Sequence, residues 1–336
     1  MCNALCLGCV RTDMHFNHKK SIIPDKQYIL FDTFKKILTA PDFQSVVDLE
    51  FCGTIDDPLM HPEFLEFLDW ASTVKKYNIL IHTNASLRNT EYWTKLATVL
   101  KQHRNHVVKF SIDGLEDTNH LYRQNTTWKK IMENAEAFIA AGGRAFWQYL
   151  IFPWNEHQIN EAKELSVKMG FVEFASRHDR SVATSLGLAQ IQKIKVENIT
   201  KKKKVSNVDD INNSLLNTVN DDIACNYGNR KMFFIGYDSK LWPCCFIQNG
   251  FVNTDEGKRA LLQQRLFDAY GSDDWNNLEK HSVAEVLSHS FYSNDLVESW
   301  SSNVHGTGKT DRIHRCTEVC SVKKLEKLPI GGYKVL

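Results

Sequence analysis

HPEFLEFLDWASTVKKYNILIHTN, residues 61–84, changes its hydrophobic period in the middle, and that change decides the fold class. Phe64, Phe67, Leu68, Ala71 and Val74 recur three and four residues apart, which is one face of an α-helix. Pro62 belongs in the first turn of that helix, where its missing N–H leaves no bond unmade. From Asn78 the pattern becomes a short apolar run, NILIHTN, too short for a helix and bounded by polar residues, so it reads as a strand.

Working outward, the same unit repeats on both sides. Upstream, LFDTFKKIL (30–38) sets Phe31, Phe34, Ile37 and Leu38 on one helical face, and SVVDLEFC (45–52) follows as an apolar run. Downstream come a helix over 91–103, a strand over 106–113 and a helix over 128–143, with Thr127 as N-cap and Gly142 near its end. A strand over 145–152, a helix over 156–170 and a strand at FVEFA (171–175) complete the series. Such alternation predicts an α/β fold of parallel strands joined by right-handed helical crossovers, closing as a partial TIM-like barrel.

Length and charge bound the rest. At 336 residues the chain can bury one large domain and a smaller partner. Lys and Arg number 41 against 40 Asp and Glu, so no net field draws the protein to nucleic acid or to an anionic membrane. No apolar stretch reaches 18 residues and no export signal is read at the start, so a cytoplasmic protein is expected. There thiols stay reduced, and nine cysteines read as metal ligands or thiols rather than as a disulfide framework.

Residues 178–222, with KKKK at 201–204 and a polar run behind it, read as a linker or exposed insertion between a barrel at 1–177 and a C-terminal region at 223–336. In that last region KMFFIGYDSKLWPCCF (231–246) predicts a hairpin turning at Asp238-Ser239. Ser282 and Glu285 make the capping box of a late helix.

Barrel enzymes carry their chemistry at the carboxyl ends of the strands. Here those ends are FCGTIDDP (51–58), HTNAS (82–86), SIDG (111–114) and FPWNE (152–156), all rich in groups that can bond a ligand or close a turn. Cys2, Cys6 and Cys9 stand together as C-x3-C-x2-C. Three thiolates suit a 4Fe–4S cluster with one iron left open, a structural zinc completed by His15 or His18, or unrelated thiols. Cys225, Cys244, Cys245, Cys316 and Cys320 form a second group that can close a further metal site, and Cys52, in an apolar strand, reads as core.

These motifs, in this order, resemble those of radical S-adenosylmethionine (SAM) enzymes with a C-terminal auxiliary iron–sulfur region of the SPASM or twitch type, over roughly residues 1–175 and 225–322. The resemblance implies that Cys2, Cys6 and Cys9 bind a 4Fe–4S cluster whose fourth iron takes the amino and carboxylate groups of SAM. TIDDP sits at the family's Gly-Gly-Glu-Pro motif, which implies Asp57 for the SAM ammonium. HTNAS implies Asn84, FSIDG implies Ser111 and Asp113 near the ribose and carboxylate, and LYRQNT implies Arg123 on the SAM carboxylate. Gln148 and Asn155 are implied for the ribose or adenine.

A second iron–sulfur cluster is implied on Cys225, Cys244, Cys316 and Cys320, with Cys245 the alternative to Cys244. The chain departs from the family at Gly8, where many members carry an aromatic residue, and at Asp56, which replaces a glycine. The expected architecture is a partial (β/α)6 TIM-like barrel joined to a small cluster-binding region of hairpin and helix; Met1 directly precedes Cys2, so either the barrel lacks its first strand or the functional start lies upstream of the one given. The implied activity is reductive cleavage of SAM to a 5′-deoxyadenosyl radical that takes hydrogen from a peptide, protein or small-molecule substrate. An electron donor such as flavodoxin or ferredoxin would serve it. The competing reading is a zinc-stabilised binding protein without catalysis.

Overall fold

A computed structural model describes residues 2–7, 9, 28–53, 56–103, 105–178, 222–250, 264–272, 274–304, 308–321, 325–327 and 333–335. The predicted linker, apart from its end residues 178 and 222, lies outside the described residues, as do Gly8, His15 and His18. The chain forms two compact units, Met1–Lys202 and Lys203–Leu336.

The first unit is built on five parallel strands in sheet order β1-β2-β3-β4-β5: Asp48–Phe51, Asn78–Thr83, Val107–Ser111, Ala145–Ile151 and Glu173–His178. Helices α1 (Phe31–Thr39), α2 (Phe64–Val74), α3 (Thr90–Leu100), α4 (Asn119–Tyr122), α5 (Trp128–Ala140) and α6 (Ile159–Met169) alternate with them. The parallel α/β architecture read from the sequence is therefore present. Phe110 of β3, fully buried, meets Trp93 of α3, Phe138 of α5 and Phe171, while Trp147 of β4 meets Phe171 and Phe174. Burial of these large rings is the main force holding helices to sheet.

Side chains alternate along a strand, so the opposite face of the sheet carries a different set. There Glu50 and His82 pair at 3.0 Å, and Lys109, Ser111 and Gln148 are half-buried. The register puts Leu80, Val107 and Phe146 on this face as well, so it is mixed in character.

Local differences from the sequence reading have simple causes. Helix α2 takes Glu63 as its N-cap, so Pro62 precedes the helix instead of sitting in its first turn. Thr127 occupies the N-cap of α5, but its hydroxyl makes no cap bond; among α1–α6 the helix with a side-chain N-cap bond is α3, where Asn89 Oδ1 accepts from the Tyr92 N–H at 3.0 Å. Strand β5 runs three residues past Ala175, in register with β4 to its end. Cys52 lies one residue beyond β1 and is half-buried, not core, because the strand stops at Phe51.

In the second unit a short helix, Asn226–Asn229, leads into the antiparallel hairpin of β6 (Phe234–Ile235) and β7 (Leu241–Trp242), with Ser239 in the left-handed region at φ 60°. The turn falls where the sequence placed it. Helices follow at Cys245–Gly250, 264–270, Val283–Ser288, Leu296–Ser299 and His314–Cys320, and a two-stranded ladder pairs Leu325–Lys327 with Tyr333–Val335. The capping box of Val283–Ser288 is formed, Ser282 Oγ accepting from the Glu285 N–H and Glu285 accepting from the Ser282 N–H. Among the described residues no helix is long and apolar enough to cross a membrane.

Phe110→Ala should cost about 3–5 kcal/mol of unfolding free energy in urea, whereas Val167→Ala, on a side chain 71% exposed, should change it by less than about 0.5 kcal/mol. Equal effects would show that the ring cluster is not the core of this unit.

Candidate functional site

The cysteine loop lies against the strand ends of the first unit, and its backbone is held at two points. The Leu5 N–H donates to the Gln124 carbonyl at 2.9 Å and the Leu7 N–H to the Tyr122 carbonyl at 3.3 Å. Leu7, 1% exposed, is packed with Phe152 and Trp154, whose rings stack at 4.5 Å, and with Leu121, Tyr122 and Leu150. An apolar residue between two cysteines thus anchors the loop from below.

Side chains from β2 grip it from one side. Asn84 Nδ2 donates to Asn3 Oδ1 at 2.9 Å and approaches Cys2 Sγ at 3.5 Å, while Asn84 Oδ1 accepts from the N–H and hydroxyl of Ser86. Asn3 Nδ2 donates to Ser86 Oγ at 2.7 Å, and the Asn3 carbonyl accepts from Asn125. Asn3, Ser86 and Asn125 were not singled out in the sequence, where a lone polar residue carries no signal of its partners.

Asp57, 4% exposed, spends both carboxylate oxygens on its own chain. Oδ1 accepts from the Leu59 N–H at 3.1 Å; Oδ2 accepts from the Thr83 hydroxyl at 2.9 Å and from the Asn84 N–H at 2.8 Å. Burial pushes its carboxyl above the usual range, against these donors. The turn before it closes tightly: a Cβ on Gly53 would stand 1.6 Å from the Asp56 carbonyl oxygen, so only glycine fits.

The other side is held from β3. Asp113, fully buried, accepts from Arg123 Nε at 2.7 Å on one oxygen and from the Leu150 N–H at 2.6 Å on the other. Burial pushes the carboxyl up; the Arg123 guanidinium and the Leu150 amide pull it down. Arg123 loses solvation too, but Asp113 and Cys6 more than offset that and hold it protonated. Its Nη1 reaches Cys6 Sγ at 3.7 Å, and its Cζ lies 5.2 Å from the Tyr122 ring centre. Gly114, at φ 135°, lets the chain turn out of β3 beside Thr118.

Ser111, the last residue of β3, is the register partner of Gln148 in the middle of β4, and both are half-buried. Asn155 is fully buried: Nδ2 donates to the Asp113 and Leu150 carbonyls and Oδ1 accepts from the Phe152 N–H. In this arrangement it fastens the β4 loop to the Asp113 strand end. The strand-end residues and the cysteine loop are thus brought together, with Asp57 and Asn155 serving the frame.

Within the second unit, Cys225, Cys244, Cys316 and Cys320 line one pocket. Its walls include Tyr227, Pro243, Phe246, Leu296 and Trp300, with Arg315 among them. Burial pushes the Cys244 thiol up to about 11 and the Cys316 thiol to about 12. Cys245 instead faces the Tyr227 hydroxyl at 2.9 Å. None of the nine cysteines is in a disulfide.

Among the described residues no group of three or more His, Cys, Asp and Glu could hold a metal ion. An iron–sulfur cluster takes its cysteines on separate irons, so the test of fit is the chemistry around each sulfur. At Cys2 and Cys6 it is an amide donor and a guanidinium cation, both complementary to anionic sulfur, and the second pocket gathers four thiols behind apolar walls. The chemistry around Cys2 and Cys6 fits the ligands of an iron–sulfur cluster.

No protein-family model matches the chain, and no curated protein matches it in sequence. Solved structures do match it in fold. One is Streptococcus suis SuiB bound to precursor peptide SuiA, at 13% identity and TM-score 0.51, over 87% of this chain and 64% of that one. Another is native anSMEcpe with bound AdoMet and Cp18Cys peptide, at 17% identity and TM-score 0.50, over 95% of this chain and 85% of that one. Hexahistidine-tagged anSMEcpe with bound AdoMet matches at 16% identity and TM-score 0.50, over 89% and 80%. The chain spans less than two thirds of the SuiB chain. The likeness bears out the parallel α/β fold read from the sequence.

Because burial raises the Asp57 pKa above its ordinary 3.8, its contribution to stability is full below that value and is lost as pH rises through the raised pKa. The stability of the native chain relative to Asp57→Asn should therefore fall as pH rises through the carboxylate range. Urea unfolding at a series of pH values measures it, and a difference independent of pH would contradict the buried placement.

Proposed function

We propose that this chain is a radical SAM enzyme that modifies a peptide or protein. One observation carries the reading: the ends of β2 and β3 place Asn84 on Cys2 and the Asp113–Arg123 pair on Cys6, so the strand ends and the cysteine triad form one construction.

In this reading Cys2, Cys6 and Cys9 hold a 4Fe–4S cluster, leaving one iron for SAM. Bound together, cluster and SAM supply the one-electron chemistry that yields a 5′-deoxyadenosyl radical to take hydrogen from the substrate. The chain's own residues bind, orient and exclude water. Ser111 and Gln148, paired in register across β3 and β4, would meet the ribose and adenine, and N–H groups of Arg123 the SAM carboxylate. Asp57 acts here by holding the Asn84 backbone. The apolar floor of Leu7, Phe152 and Trp154 keeps solvent from the cluster side.

Cys225, Cys244, Cys316 and Cys320 would hold the second cluster, of SPASM or twitch type; the bond between Cys245 and Tyr227 supports Cys244 as the ligand from the doublet. The peptides bound in the SuiB and anSMEcpe structures support a peptide substrate. A flavodoxin or ferredoxin in a reducing cytoplasm would supply the electron.

Anaerobic reconstitution should give a brown protein with about eight irons per chain that forms 5′-deoxyadenosine from SAM upon reduction. Cys6→Ala should abolish that product, and Cys320→Ala should keep it while losing about half of the iron. A colourless protein that takes up zinc and no iron would overturn the proposal.

A further inference from the structure

Arg123 is more closely constrained than a ligand-binding arginine requires. Its Nε is fixed on a fully buried carboxylate at 2.7 Å, its side chain is only 15% exposed, and the Tyr122 ring lies 5.2 Å from its Cζ. Those contacts leave Nη1 directed at Cys6 Sγ, at 3.7 Å. On the other side of the loop, Asn84 Nδ2 lies 3.5 Å from Cys2 Sγ, its oxygen anchored by Ser86. Each donor is thus fixed by a second bond within the frame, and each presents an N–H to a different sulfur of the triad.

We propose that Arg123, clamped by Asp113, and Asn84 set the reduction potential of the cluster on Cys2, Cys6 and Cys9 by donating to the Cys6 and Cys2 sulfurs. The inference rests on the cluster reading above. One-electron reduction adds a negative charge to an already anionic group. A fixed cation and an amide donor at its ligand sulfurs stabilise the reduced state more than the oxidised one, and raise the potential. Asp113, which meets the guanidinium at Nε, carries the opposite charge and opposes this field, so the two members of the ion pair act with opposite sign. Arg123 and Asn84 are positioning residues in this role, acting through the cysteines.

The test is a potentiometric titration of the reconstituted protein, followed by electron paramagnetic resonance, without SAM so that its own contacts with Arg123 do not enter. Iron and sulfide are counted first in every variant. Arg123→Gln should lower the potential by at least a tenfold change in the reduction equilibrium, about 59 mV for one electron. Arg123→Lys, which keeps the charge, should lie between it and the native protein. Asn84→Asp, bringing an anion beside Cys2, should also lower the potential, and Asp113→Asn should raise it.

Opposite signs for Arg123→Gln and Asp113→Asn are the result a general loosening of the loop would not give. If Arg123→Gln fails to hold its iron, the comparison of Arg123→Lys, Asn84→Asp and Asp113→Asn still decides. Equal potentials in all variants that hold a full cluster, or shifts of one sign throughout, would overturn the inference. A native protein that takes up no iron would instead overturn the functional reading itself.

Discussion

The ion pair of Asp113 and Arg123 is the constraint on which the site depends. A carboxylate with no exposed surface at the end of β3 has to be neutralised, and the cation that does so is supplied ten residues on, at the end of α4. A buried pair of this kind contributes little net stability, but losing one partner leaves an uncompensated charge. It therefore specifies geometry. Leu150 of β4 and Cys6 meet these two side chains and Asn155 the Asp113 carbonyl, so sheet, loop and cysteine triad share one reference point.

The sheet was legible because its signal is periodic and repeated. Phe64, Phe67, Leu68 and Ala71 are buried on α2 as their spacing requires, and Ile79 and Ile81 alternate inward on β2. What eluded a reading of the sequence was decided by single contacts. Thr127 and Asn89 are both good N-cap residues, yet only Asn89 bonds its helix. Cys52 has the neighbours of a core residue, but the strand ends before it.

At the site, the motif order located the strand ends, but residue type did not foretell whom each side chain would meet. Asp57 and Asn155 have the chemistry to bind a ligand, and the fold uses it to bind backbone instead. Asn3, between two of the cysteines, has no pattern of its own and emerges only from the bonds to Ser86 and Asn84. In the second unit the cysteine doublet is ambiguous by spacing, and Cys245 lies at the Tyr227 hydroxyl while Cys244 lines the pocket.

As proposed above, the cysteine triad, braced by the strand ends, leaves one iron for SAM. Electron–nuclear double resonance on the reduced protein with SAM labelled at its amino nitrogen and carboxylate oxygen addresses it most directly. The account predicts hyperfine coupling from both labels to the cluster. A spectrum unchanged by SAM, with no coupling from either label, would contradict it.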